Sequence, residues 1–358
     1  MSDPDESPMR HGLGRRGFLQ SAGLLGAGVA LSESLLQARQ AAPQLELSDT
    51  GPDKIPRKPF GRTEEKVSII GLGGFSLGAA PSLKEAIAIV HEAIDAGVNF
   101  FGNAWDYHDG KSEEWMGQAL KGRRDKVFLM TKVCTHGRDK KVGLRQLEES
   151  LKRLQTDHLD LWQIHECVYD NDPERHFAKG GVIEALDEAK KAGKVRYVGF
   201  TGHKHPAIHL KMLSYDYPFD SVQMPLNAFD ASYRSFRKNV LPEVNKRGMA
   251  ALGMKSLGGN GQPITNGVAT VEEALRYAMS LAVATTISGI DSLVVLRQNL
   301  AIARGFKPMT AVEMETLSMR CARAAGDGHL ELYKSTMKYD GDVGREQHGL
   351  PSHKELPL

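Results

Sequence analysis

The chain has 358 residues, 41% hydrophobic and 25% charged, which is the profile of a globular protein with ample core. Its 46 basic and 44 acidic side chains leave a net charge of +2 and are interspersed, with no lysine-rich face, so nucleic acid is excluded as an expected partner. Three cysteines, Cys134, Cys167 and Cys321, are too few and too scattered for a disulfide framework or a Cys-x-x-Cys metal site.

Residues 1–42 read as an address. Arg15-Arg16, then Phe18-Leu19, opens a weakly apolar run from Ser21 to about Leu36. That is the layout of a twin-arginine signal peptide, and it predicts transfer by the twin-arginine export machinery to the periplasm. The alternative is a disordered tail with a chance Arg-Arg pair, which would leave the protein cytoplasmic. The run is short and broken by Ser32 and Glu33, so no stable membrane span is expected in the mature form.

A linker is expected over 43–56, and from residue 57 short apolar runs alternate with amphipathic patterns. The reading predicts a hairpin over 58–67, then strands over 68–71, 99–103, 127–132, 159–165, 195–201, 221–224, 249–254 and 284–288. Helices are expected over 82–96, 112–120, 142–154, 182–192, 206–214, 240–247, 271–280 and 293–303, with Ser82 capping the first and Gly97 ending it. Eight strand–helix alternations fit a closed (β/α)8 TIM barrel spanning 57–338. A further helix at 311–325 would lie outside it, and the polar stretch after Gly326 is expected to be loop, with a C-terminal tail over 339–358. The rival fold is a Rossmann-type sheet, prompted by Gly71-Leu-Gly-Gly-Phe-Ser-Leu-Gly; Ser76, however, stands where a third glycine would be required.

Tyr107, Lys132 and His165 each lie at or just past the end of a predicted strand, and parallel strands deliver such side chains to one mouth. Each also has a plain reading: Tyr107 packed on Trp105, Lys132 a solvated strand end, His165 a buried histidine. Cys134 and Cys167 lie two residues past Lys132 and His165, so both a bridge and two free thiols stay open. His203-Lys-His205 looks like a metal pair, but no third or fourth ligand is evident, so no metal is expected.

The ordered set Gly71-Leu-Gly-Gly-Phe, Gly97-Val-Asn-Phe-Phe, Ala104-x-x-Tyr107, Ser112-Glu, Lys132, Arg153-Leu, Asp157-His-Leu-Asp-Leu, His165, Gly193-Lys-Val-Arg-Tyr-Val-Gly and Gln223 to Asn227 resembles the aldo-keto reductases, NAD(P)-dependent (β/α)8 enzymes. The resemblance runs from about Arg57 to Met337. It implies interconversion of a carbonyl (aldehyde, ketone or sugar) and an alcohol. Tyr107 would be the general acid, Lys132 the ammonium that lowers its pKa, and His165 the group that orients the substrate oxygen. The family's aspartate five residues before the tyrosine is Gly102 here, which predicts a less well positioned lysine and reduced turnover. Asp106 is a possible substitute, although neighbouring strand residues face opposite ways.

The resemblance also implies cofactor contacts. Gly73, Gly74 and Phe75 belong to the loop after the first strand. Thr201 and Gln223 would meet the nicotinamide amide, and Met254 stands where an aromatic often stacks on the ring. Lys255, Leu257, Gly258, Gly259, Gly289, Ile290 and Asp291 would lie along the phosphates, with Gln298 and Asn299 at the adenine. Val295 replaces the arginine that grips the 2′-phosphate and Arg297 is two residues off, so NADP and NAD are both expected candidates. A nicotinamide-binding protein with weak catalysis, acting as a redox sensor, is the alternative function. A metal-dependent barrel hydrolase using His165 and Glu166 is the third.

Overall fold

The structure is a computed structural model, and it describes residues 45–134 and 139–355. The export-signal segment, 1–42, lies outside the described residues. Eight parallel strands close into a barrel: β3 (Ile70–Gly73), β4 (Phe100–Gly102), β5 (Phe128–Val133), β6 (Leu159–Ile164), β7 (Val195–Thr201), β8 (Ser221–Pro225), β9 (Ala250–Met254) and β10 (Thr285–Gly289). Each pairs in parallel with its chain neighbours, and β10 returns to β3 through Thr286 opposite Ile70. This is the expected (β/α)8 barrel, and the Rossmann alternative is set aside. Strand bounds shift by one or two residues, and helices 206–214, 271–280, 293–303 and 311–325 fall where the periodicity puts them.

Local chemistry sets those helix starts. The Ser82 hydroxyl accepts from the Glu85 N–H, and Thr270 and Glu273 form a reciprocal capping box. A short hairpin, β1 (Arg57–Pro59) with β2 (Lys66–Ser68), plugs one end of the barrel. Phe60 packs 4.7 Å from Phe128, with Val67, Phe100, Leu161 and Leu252 in the same buried cluster. Each such side chain contributes about 1.5–3 kcal/mol on burial, so this end is apolar floor. Residues 45–56 do not behave as a loose linker. Ser48 pairs with Arg57, and Ile55 is buried in the core.

The expected loop after Gly326 is also corrected. Short helices form at Leu332–Ser335 and Asp342–Gln347, and the segment folds back on the barrel. One of its charges is paired inside and not solvated: Lys334, fully buried, sits 2.7 Å from Asp230 and 2.9 Å from Glu331. Arg345, also buried, donates to the Pro351 carbonyl at 2.5 Å. Polar composition suggested solvent, but a charge satisfied by a distant partner reads the same in a sequence. Among the described residues no helix is long and apolar enough to cross a membrane.

Candidate active site

Opposite the hairpin, the carboxyl ends of the strands open into a cavity of about 850 Å³. Backbone bonds carry the sheet beyond its strands: Asn103 N–H donates to Met130 O, Trp105 N–H to Lys132 O, and His165 N–H to Val133 O. The strand bearing Lys132 and the loops bearing Tyr107 and His165 are thereby held in register with one another.

Those three side chains converge. Lys132 Nζ donates to Tyr107 Oη at 3.2 Å and to the Asn103 carbonyl at 2.7 Å. The Tyr107 and His165 rings meet edge to face, with centroids 5.6 Å apart. Had the phenol and the amine stood on opposite rims, the expected chemistry would have failed. Tyr107 opens a tight turn in which His108 and Asp109 adopt left-handed φ of 52° and 57°, a strained geometry of the kind that clusters at functional sites. Two props hold it. His108 Nε2 lies 2.7 Å from the Phe75 carbonyl, and Arg153 donates to Trp105 O while pairing with buried Glu113 at 3.2 Å.

Burial sets the protonation states. It pulls the Lys132 ammonium down from 10.5 to about 8, opposed by the negative charges of Asp106, Glu166 and Glu113. The phenol moves the other way: burial, then Asp106, Glu166 and Cys134, push Tyr107 well above its usual range. The net direction is therefore upward and not downward as expected, although the Lys132 ammonium still favours the phenolate. Desolvation of a phenolate outweighs one cation in this cup, and Tyr107 is held protonated.

Gly102 lies on the cavity wall, and there is no side chain there to pair with Lys132. A Cβ at that position would stand 3.0 Å from Met130 Cε and 3.9 Å from Ile287 Cδ1, so the place is apolar. The carboxylates of this site come from elsewhere. Asp106 Oδ1 is 3.2 Å from His165 Nδ1. Glu166 Oε2 is 2.7 Å from His203 Nε2, and Glu166 Oε1 accepts from Gly341 N–H at 2.7 Å. Burial would raise the Glu166 carboxyl, but the charge and hydrogen bond of His203, helped by His165 and Gly341, hold it far below the usual range. Glu166, expected only for the hydrolase alternative, His203 and the segment Lys338–Val343, which lines the cavity, were not assigned to the reductase site from the sequence. A chain segment that returns over 170 residues later carries no local signal.

Of the expected cofactor residues, Gly73, Gly74, Phe75, Gln223, Met254, Lys255, Gly259 and Gly289 line the cavity. Thr201, Leu257, Gly258, Ile290, Asp291, Gln298 and Asn299 do not. Thr201 and Ile290 are buried, Asp291 and Gln298 are exposed, and Asn299 donates to Ser288 Oγ at 3.0 Å. Val295 packs against the core, and Arg297 is held by Glu92 in a two-point pair at 2.8 and 2.9 Å. Gln223 offers its Nε2 to Met254 Sδ at 3.3 Å, while its buried Oε1 has no partner. Lys255, with φ 57°, reaches over the rings of Tyr333 and Tyr339.

Cys134, Cys167 and Cys321 are free and buried, so the reading with unpaired thiols holds. His203 and His205 do not form a metal pair: His203 serves Glu166, and His205 Nδ1 caps the helix Pro206–Ser214 by accepting from Ala207 N–H. Asp106, Cys134 and His165 place donor atoms within 4.8 Å of one another. Asp106 and His165 are hydrogen-bonded to each other, and burial pushes the neighbouring Cys134 thiol well above its usual range.

Comparison with known proteins agrees with this architecture. Residues 69–262 match the model of the Aldo/keto reductase family. An uncharacterized oxidoreductase of Bacillus subtilis (strain 168), YqkF, is 28% identical over 303 residues, covering 73% of this chain and 95% of that protein. An aldo-keto reductase from Bacillus halodurans in its holo form superposes with a TM-score of 0.61 at 22% identity, over 74% of this chain and 95% of the other. One from Klebsiella pneumoniae, solved with NADP and acetate, gives 0.59 at 22% identity, over 73% and 93%. At such identity the two solved structures show a shared fold.

Proposed function

This chain belongs to the aldo/keto reductase family of oxidoreductases, and from that premise we propose that it interconverts a carbonyl and an alcohol with NADP(H), Tyr107 being the proton donor. The observation that carries the reading is the 3.2 Å contact between Lys132 Nζ and Tyr107 Oη at the floor of an open cavity. The cofactor, when bound, supplies the hydride. The chain's own residues handle the oxygen. Tyr107, a protonated phenol, gives its proton to the oxygen as negative charge develops there, and Lys132 stabilises the phenolate left behind. His165 orients the oxygen from the adjacent strand.

The residues present fit a nicotinamide cofactor. The unpartnered, buried Gln223 Oε1 is an acceptor looking for an N–H, which a carboxamide supplies. Met254 offers a polarizable face for the ring, and Lys255 and Gly289 line the cavity where phosphates would run. The Klebsiella enzyme solved with NADP supports the phosphorylated form; Val295, in the place of a phosphate-gripping arginine, favours NAD. Equilibrium binding of NADPH and NADH decides between them. Turnover on a panel of aldehydes, ketones and sugars tests the reaction, and cofactor binding without turnover on any of them would favour the redox-sensor reading.

We also propose that the enzyme is exported, which rests on Arg15-Arg16 and the apolar run that follows. Replacing both arginines by lysine should retain the protein in the cytoplasmic fraction; unchanged fractionation would remove the proposal.

A further inference from the structure

We propose that Asp106 is the carboxylate that positions this site, fixing the His165 ring through Nδ1. The inference rests on reading the cavity as a carbonyl-reducing site.

The geometry is direct. Asp106 Oδ1 and His165 Nδ1 are 3.2 Å apart, and both residues line the cavity. Strand alternation would turn Asp106 away from its neighbour Tyr107, but alternation has ended before this point. Asp106 has φ −88° and ψ −8°, a helical geometry that opens the turn Tyr107–Gly110, so consecutive side chains no longer face opposite sides. The turn therefore brings the carboxylate of residue 106 and the phenol of residue 107 into one cup.

An imidazole ring has two nitrogens, and a hydrogen bond at one decides what the other does. With Nδ1–H donating to Asp106, Nε2 is the nitrogen left for the reacting oxygen, presented at a fixed angle. Glu166 Oε2, 3.9 Å from Nε2, is too far to be a hydrogen-bond partner and is itself engaged by His203. Position 102 is glycine and offers no competing carboxylate. Asp106 acts through His165 and so is a positioning residue.

The test uses the full chain with NADPH and para-nitrobenzaldehyde as the probe, comparing wild type with Asp106→Ala, Asp106→Asn and Asp106→Glu. Ala removes the partner, and Asn permits the wrong tautomer because its amide can donate to Nδ1. Both should lower kcat at least about tenfold with KM within about twofold, and Glu should restore part of the loss. Isotope-edited NMR of the ring nitrogens gives a readout independent of turnover. His165 should be a single Nδ1–H species in wild type and lose that preference in Asp106→Ala. Wild-type kcat in the Ala variant, or an unchanged ring tautomer, overturns the inference. A lost tautomer preference in a protein that never oxidises NADPH upholds the positioning and defeats the reductase reading instead.

Discussion

Lys132 Nζ lies 3.2 Å from Tyr107 Oη and 2.7 Å from the Asn103 carbonyl, so the amine is anchored by backbone on one side and meets a phenol on the other. A carbonyl dipole holds the ammonium in place without contributing a full negative charge. Burial then brings its pKa down to about 8, within reach of ordinary working conditions.

Removing the phenolic proton tests its part directly. Tyr107→Phe should lower kcat by about two to four orders of magnitude, the range expected for losing a general acid, while NADPH affinity stays near wild type. Steady-state kinetics beside a fluorescence titration separates the two effects.

The rate should fall as pH rises through about 8. Below that value Lys132 carries its charge; above it the ammonium is lost, well before a solvent-exposed lysine would titrate. Lys255 is lowered to about 8 by burial as well. Lys255→Met should therefore keep the alkaline limb, whereas Lys132→Met should be slow at every pH. A pH–rate profile of the three proteins checks this.

Gly102→Asp should move that limb upward, because a carboxylate beside the amine favours its charged form. The variant should also melt earlier, since the new side chain meets Met130 Cε at 3.0 Å in an apolar wall. An unchanged limb would mean that position 102 does not address Lys132.

Gln223→Leu removes the buried acceptor that lacks a partner. The loss of one such hydrogen bond, about 1 kcal/mol, should weaken NADPH binding roughly five- to tenfold. Equilibrium titration reads the change.

Glu166 ties the C-terminal segment to the cup through Gly341 N–H. Glu166→Ala should raise amide hydrogen exchange over residues 338–343 while leaving the hairpin end of the barrel protected. Exchange mass spectrometry resolves both regions.

Much of this architecture was readable in one dimension. Alternating apolar runs and capped amphipathic stretches are local, and the eight strands and the helices at 206–214, 271–280, 293–303 and 311–325 follow from them. The meeting of Tyr107, Lys132 and His165 was legible too, because parallel strands of one barrel share a single exit. Other features depend on groups distant in the chain. The return of residues 338–343 over the cavity rests on an ion cluster joining Lys334 to Asp230, about a hundred positions away. The facing of Asp106 turns on one helical backbone geometry that opens the turn beyond the strand. The protonation of Tyr107 is decided by how deeply it is enclosed, and enclosure belongs to the assembled barrel rather than to any stretch of residues. Short-range patterning determined which elements form and what they deliver; desolvation and long-range charge pairing, which exist only once the chain has closed on itself, decided how the delivered groups behave.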